Sequence, residues 1–197
     1  MTKMTKSKTI VMLIDFGEHP GVTDDIYTGN KRYSELQKLI CNVANRTELY
    51  FVTNLPYEAD PRLAEILKMA RTTGFKTLEI RETLRPNVGD HTIEEVSNHL
   101  KLKFDIEIDP SDTQIILGGC NMGGCIANSK QISAVYWSIA GYKTTIHVPL
   151  CGEYEQPGIN QVERTYYGFQ KLYTVIKKHN AFDNISMSTE WHEIRGL

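Results

Sequence analysis

Two short stretches hold the residues best suited to chemistry. Residues 114–129 (QIILGGCNMGGCIANS) run from an apolar segment through a glycine pair and a tight polar turn. They deliver Cys125 to the start of an apolar-periodic segment, a pattern that predicts strand, turn and helix with the cysteine at the helix N-terminus. Unpaired backbone N–H groups and the helix dipole there favour a thiolate over a thiol, the form in which sulfur is a nucleophile. In residues 9–16 (TIVMLIDF) a nearly continuous apolar run ends in the carboxylate of Asp15. The end of a central strand is where open α/β sheets place ligands, although the same carboxylate could simply cap or solvate the loop that follows. Asp24 and Asp25 could bind a cation, but an exposed acidic loop accounts for them equally well. The spacing of Cys120 and Cys125 (CNMGGC) is not CxxC, and no histidine pair stands at a zinc spacing, so neither a structural zinc nor a disulfide is expected.

The elements needed to position these groups follow from hydrophobic periodicity. Strands are expected at residues 9–16, 48–53 (ELYFVT), 75–80, 113–117 and 143–150 (KTTIHVPL), the third less apolar and so nearer an edge. Helices are expected at 30–45, with Tyr33, Leu36, Ile40 and Val43 inward and Cys41 packed beside them, and at 61–73, capped by Asp60 and stopped at Gly74. Further helices are expected at 91–101, from Cys125 to Gly141 with Ile132, Val135 and Ile139 on one stripe, and at 157–179 with Tyr166, Phe169, Leu172 and Ile176 inward. KFDIEID (103–109) alternates and reads either as a brief strand or as a connection. Residues 1–8 read as a flexible leader and 181–197 as a polar tail whose Trp191 docks somewhere, on another subunit for example. Strands alternating with helices predict one α/β domain over residues 1–197, built on a mostly parallel, doubly wound sheet.

At 41% hydrophobic and 23% charged, the 197-residue chain has globular composition. Its net charge of -2 leaves no electrostatic footprint for nucleic acid or an anionic membrane, and no apolar stretch reaches the length of a spanning helix. The four cysteines fit a reducing, cytoplasmic setting.

Taken together, these stretches resemble the isochorismatase-like hydrolases, the superfamily of the nicotinamidases and N-carbamoylsarcosine amidases. IVMLIDF resembles the family's first strand; GGCNMGGCIANS followed by AGYKTTIHV resembles its nucleophile turn, helix and next strand; Arg85-Pro86 falls where the family has Lys-Pro. The likeness in element order spans residues 9 to 178, while the likeness in sequence is confined to these islands. It implies a three-layer sandwich with a Rossmann-like sheet, a homo-oligomer, and a small-molecule substrate hydrolysed at a C–N bond without a cofactor. Cys125 would be the nucleophile, Asp15 the general base and Arg85 the stand-in for the family's lysine, with Arg81 a second candidate for that place. The peptide joining Cys120 to Asn121 would be the family's cis bond, and the N–H groups of Asn121 and Cys125 its oxyanion hole. An arginine in the lysine's place stays protonated, so it can hold a carboxylate but cannot shuttle a proton. Metal-binding relatives carry an Asp and His cluster after the second strand; VTNLPYEAD (52–60) has no histidine, so no catalytic metal is expected. His147 reads as a packed strand residue, and Cys120 and Cys151 as bystanders near the strand ends.

Two other readings remain open at this level. One is a catalytically dead protein of the same fold that binds a small molecule or a protein partner. The other is a nucleotide-binding, flavodoxin-like module, against which the turn lacks the GxGxxG register.

Overall fold

The computed structural model describes residues 7–16, 29–43, 48–54, 60–80, 91–120, 122–152, 161–180 and 183–194. The described strands are β1 (Lys8–Ile14), β2 (Glu48–Thr53), β3 (Lys76–Glu79), β4 (Thr113–Cys120), β5 (Lys143–Gly152) and β6 (Ile185–Ser188). They form one parallel sheet in the order β3-β2-β1-β4-β5-β6. The strands are apolar on both sides because both faces are covered. On one face, α1 (Gly29–Val43) and α2 (Pro61–Thr72) pack Tyr33, Leu36, Leu39, Ile40, Leu63 and Leu67 against Val11, Leu13, Phe51 and Ile116. On the other, α3 (Ile93–Phe104), α4 (Ala134–Ile139), α5 (Gln161–Lys178) and a π-helical segment, Met122–Ser129, bury Val96, Leu100, Trp137, Leu172, Ile176, Met122 and Ile126 against Ile10, Met12, Ile115 and Leu117. Each fully buried Leu or Ile contributes about 1.5–3 kcal/mol of transfer free energy, so these two apolar layers are what hold the sheet between the helices.

The five expected strands are present, and β3 is indeed an edge. Asp60 caps α2 with Pro61 in the first turn, and Gly74, at φ +93°, ends it. Several local expectations are corrected. The polar tail supplies the edge strand β6, and Trp191 stacks on His147 of its own chain with ring centroids 3.7 Å apart. The helix expected from Cys125 to Gly141 is split: the π-helical segment begins at Met122, a turn follows, and only Ala134–Ile139 is α-helical, leaving Ile139 exposed. A reading at 3.6 residues per turn carries one stripe through both pieces and so places Ile139 inward. Tyr166 and Cys41 are likewise exposed rather than packed. KFDIEID forms no strand beyond the end of α3.

Candidate active site

The strand order places a reversal between β1 and β4, the switch point at which connections leave for opposite halves of the sheet. Asp15 follows β1 there, and Gly118-Gly119-Cys120 ends β4, with Ile14 in register with Gly119. The glycines are demanded by crowding. A Cβ on Gly119, at φ +137°, would lie 1.7 Å from the Ile14 carbonyl oxygen, and one on Gly118 would lie 2.4 Å from Leu150 Cβ. The second contact accompanies a register shift between β4 and β5 at Leu117 and Gly119. Further on, a Cβ on Gly123 would meet Lys171 Cβ at 2.8 Å, so the lack of a side chain lets α5 lie close against the π-helical segment.

Asp15 is held from two sides. Its own backbone is left-handed, φ +47°, a conformation a non-glycine residue keeps only where its surroundings enforce it. Asn54, buried at the end of β2, enforces it: Asn54 Oδ1 accepts from the Asp15 N–H at 2.8 Å, and Asn54 Nδ2 donates to Asp15 Oδ1 at 2.8 Å. Lys130 Nζ lies 3.2 Å from the same Oδ1, both side chains largely buried. Lys130 follows directly after the π-helical segment that contains Cys125. That stretch therefore leaves the sheet beside β1 at Gly119 and returns to Asp15 at Lys130, with Cys125 between the two anchors. Cys125 is half-buried and packs against the α3–α5 side of the core. It is the fourth residue of the π-helical segment rather than the first of an α-helix.

Cys120 and Cys151 turn to opposite faces. Cys151 joins the α3–α5 side and donates to the His147 carbonyl at 3.3 Å. Cys120 is fully buried and accepts a hydrogen bond from Arg32 Nη1 at 3.0 Å; the same Nη1 donates to the Phe16 carbonyl at 3.1 Å. None of the four cysteines is in a disulfide. His147 is buried, its Nδ1 2.9 Å from Ser188 Oγ, and burial pushes its pKa down to about 4 against a weaker pull from Glu35 and Glu193. That is the packed strand residue expected of it. Arg81, Arg85 and Asn121 lie outside the described residues. Among the described residues no group of three or more His, Cys, Asp or Glu is gathered as a metal site, and no helix is long and apolar enough to cross a membrane. A hollow of about 420 Å³ lined by Lys8, Glu48, Tyr50 and Lys76 opens at the other end of the strands, away from Asp15.

Asn54, Lys130 and Arg32 are additions to the residues read from the sequence. Arg32 had a signal: it falls in the apolar stripe of α1 with Leu36, Leu39 and Ile40, where a cation is out of place. Asn54 had a weaker one, a polar residue directly after a buried strand. Lys130 had none, since its return to Asp15 depends on the π-helical path.

This arrangement has counterparts among solved structures. The nicotinamidase of Staphylococcus aureus superposes over 93% of this chain and 99% of its own with a TM-score of 0.57 at 12% identity. The fold is that of the isochorismatase-like hydrolases. YcaC of Pseudomonas aeruginosa, solved with hexane-2,5-diol and covalent acrylamide, matches 98% of this chain and 82% of its own with a TM-score of 0.54 at 13% identity. An isochorismatase-like hydrolase of Alkaliphilus metalliredigens matches 89% and 99% with a TM-score of 0.50 at 14% identity. No family model matches the sequence, and no curated protein does. The isochorismatase-like fold is thus carried here by a sequence only 12–14% identical to those neighbours, and only short islands of the pattern are legible in it.

Proposed function

We propose that the chain is a cysteine hydrolase that cleaves the C–N bond of a small amide-type substrate, with Cys125 as nucleophile, Asp15 as base and Lys130 as the cation beside that base. The observation that carries this reading is the fixing of Asp15 by Asn54 and Lys130, with Lys130 five residues beyond Cys125. The lysine that the resemblance assigns to Arg85 or Arg81 is then supplied from a different element. Unlike a guanidinium, the ammonium group has a proton it can give up and recover. The fold of a nicotinamidase and the covalent acrylamide held by YcaC support an amide of that size.

In this mechanism Asp15 takes the proton of Cys125 Sγ, and the sulfur lone pair forms a bond to the amide carbonyl carbon. The carbonyl electrons move to oxygen, which the N–H groups of Asn121 and Cys125 would receive. Collapse breaks the C–N bond, and the nitrogen leaves with the proton held by Asp15. A water that loses its proton to Asp15 then opens the thioester, releasing the carboxylic acid and restoring the thiol.

Ammonia release from a panel of small primary amides tests the assignment. Cys125→Ala is expected to abolish turnover, and Asp15→Asn to lower kcat by roughly 10²–10⁴ with the fold kept. Lys130→Met is expected to lower kcat with little change in KM. A Cys125→Ala variant that hydrolyses amides at the parental rate would overturn the nucleophile assignment. No turnover of any amide, together with alkylation of Cys125 no faster than that of exposed Cys41, would leave a binding protein of this fold.

A further inference from the structure

Arg32 is 2% exposed, yet it forms no ion pair with a carboxylate among the described residues. Glu35, one turn along α1, is bound by Lys38 at 2.5 Å, and Asp60 is taken up by Tyr33 and the first turn of α2. The rings of Phe16 and Tyr33, 5.2 and 5.9 Å from Arg32 Cζ, stabilise the cation but carry no net charge. A buried guanidinium without an anion is costly, and buried charges are normally paired. The group that Arg32 does hold is the sulfur of Cys120. The 3.0 Å contact lies within the range of an N–H···O bond although sulfur is the larger atom, as in a charge-assisted bond.

A second feature points the same way. Arg32 Nε is buried and has no hydrogen-bond partner among the described residues. A Cβ on Gly152 would lie 2.9 Å from Cys120 Sγ and 3.4 Å from both Nε and Cζ of Arg32. Gly152 thus presents only hydrogen to the pair, so nothing separates the guanidinium edge from the sulfur. We propose that Arg32 holds Cys120 as a thiolate, in a buried ion pair that fixes the start of the turn carrying Cys125. Through Nη1 the pair joins the residue after Asp15, by the Phe16 carbonyl, to the residue before Asn121. Arg32 and Cys120 are positioning residues, and Cys120 is a second ionised sulfur with no part in bond cleavage.

The test reads the ionised sulfur directly and needs no turnover, so its outcome is separate from that of the amidase assignment. A Cys41→Ser, Cys125→Ser, Cys151→Ser triple variant leaves Cys120 as its one thiol, and its thiolate absorbance in the far ultraviolet is measured at pH 7. One thiolate per chain is expected when folded. After unfolding in denaturant, roughly 3% should remain, the ionised share of a free thiol of pKa about 8.5. Adding Arg32→Met should remove the folded signal, and Arg32→Lys should restore most of it. A folded triple variant without thiolate absorbance would overturn the proposal, as would a signal unchanged by Arg32→Met. If Arg32→Met does not fold, the loss of signal on unfolding and its survival in Arg32→Lys decide the matter.

Discussion

At the scale of single residues, the junction of β1 and β4 depends on a hydrogen atom in place of a side chain. Any Cβ on Gly119 would collide with the Ile14 carbonyl, which is fixed in its ladder, and φ +137° is itself closed to L side chains. Gly119→Ala is therefore expected to cost more than about 4 kcal/mol, or to prevent folding, by denaturant titration. Gly74→Ala is the control: that glycine also has positive φ but open space around it, so its cost should stay at about 1–2 kcal/mol. Equal losses in the two variants would refute the steric account of the turn. Asp15 and the glycine pair could be read from the sequence because each ends an apolar run, and Cys125 because it follows a tight glycine turn and opens the next apolar segment. Lys130 could not, because its partner is 115 positions away and its approach follows a helical path that no period in the sequence encodes.

Elements were legible where their signals are local. Asp60 and Pro61 announce the start of α2 and Gly74 its end, because capping and left-handed termination involve only near neighbours. The cap also reaches α1: Asp60 accepts from the N–H groups of Arg62 and Leu63 and from the Tyr33 hydroxyl, the last two in a buried setting. Asp60→Ala should accordingly cost about 2–3 kcal/mol, more than a solvent-exposed cap, because it also removes the buried bond from the Tyr33 hydroxyl. The Asp60→Ala, Tyr33→Phe double variant should recover part of that loss, and strictly additive effects in the cycle would argue against the bond between α1 and α2. β6 escaped the sequence because ISMS is a four-residue edge strand, too short for its alternation to stand out, and its pairing with β5 is a tertiary fact. The π-helical segment escaped for a different reason: it changes the residues per turn in mid-element, so the stripe of Ile132 and Val135 looks continuous with Cys125 when the backbone is not.

For the molecule as a whole, the layer of α1 and α2 is closed by the C-terminal segment, and His147 shows what that closure costs in pH range. Its ring is buried under Trp191, with Nδ1 bonded to Ser188 and Nε2 lacking a hydrogen-bond partner among the described residues, so the native state favours the neutral form. Burial lowers its pKa from 6.5 to about 4. The unfolded chain therefore binds a proton at this site that the native chain refuses, wherever the pH lies between those two values. Stability from this residue is fully present above about pH 6.5, falls as the pH drops, and levels off below about pH 4. The full shift corresponds to a loss of about 3 kcal/mol. Denaturant midpoints across this window, followed by Trp fluorescence, should show the decline in the parent chain. His147→Gln should be less stable at pH 7 and lose less on acidification, so the two curves converge toward pH 4. Carboxylates titrate in both proteins and cancel in the difference. A difference that stays constant from pH 7 to pH 4 would show that His147 takes up its proton as readily in the folded as in the unfolded chain, and the closure of this layer by Trp191 would need another basis.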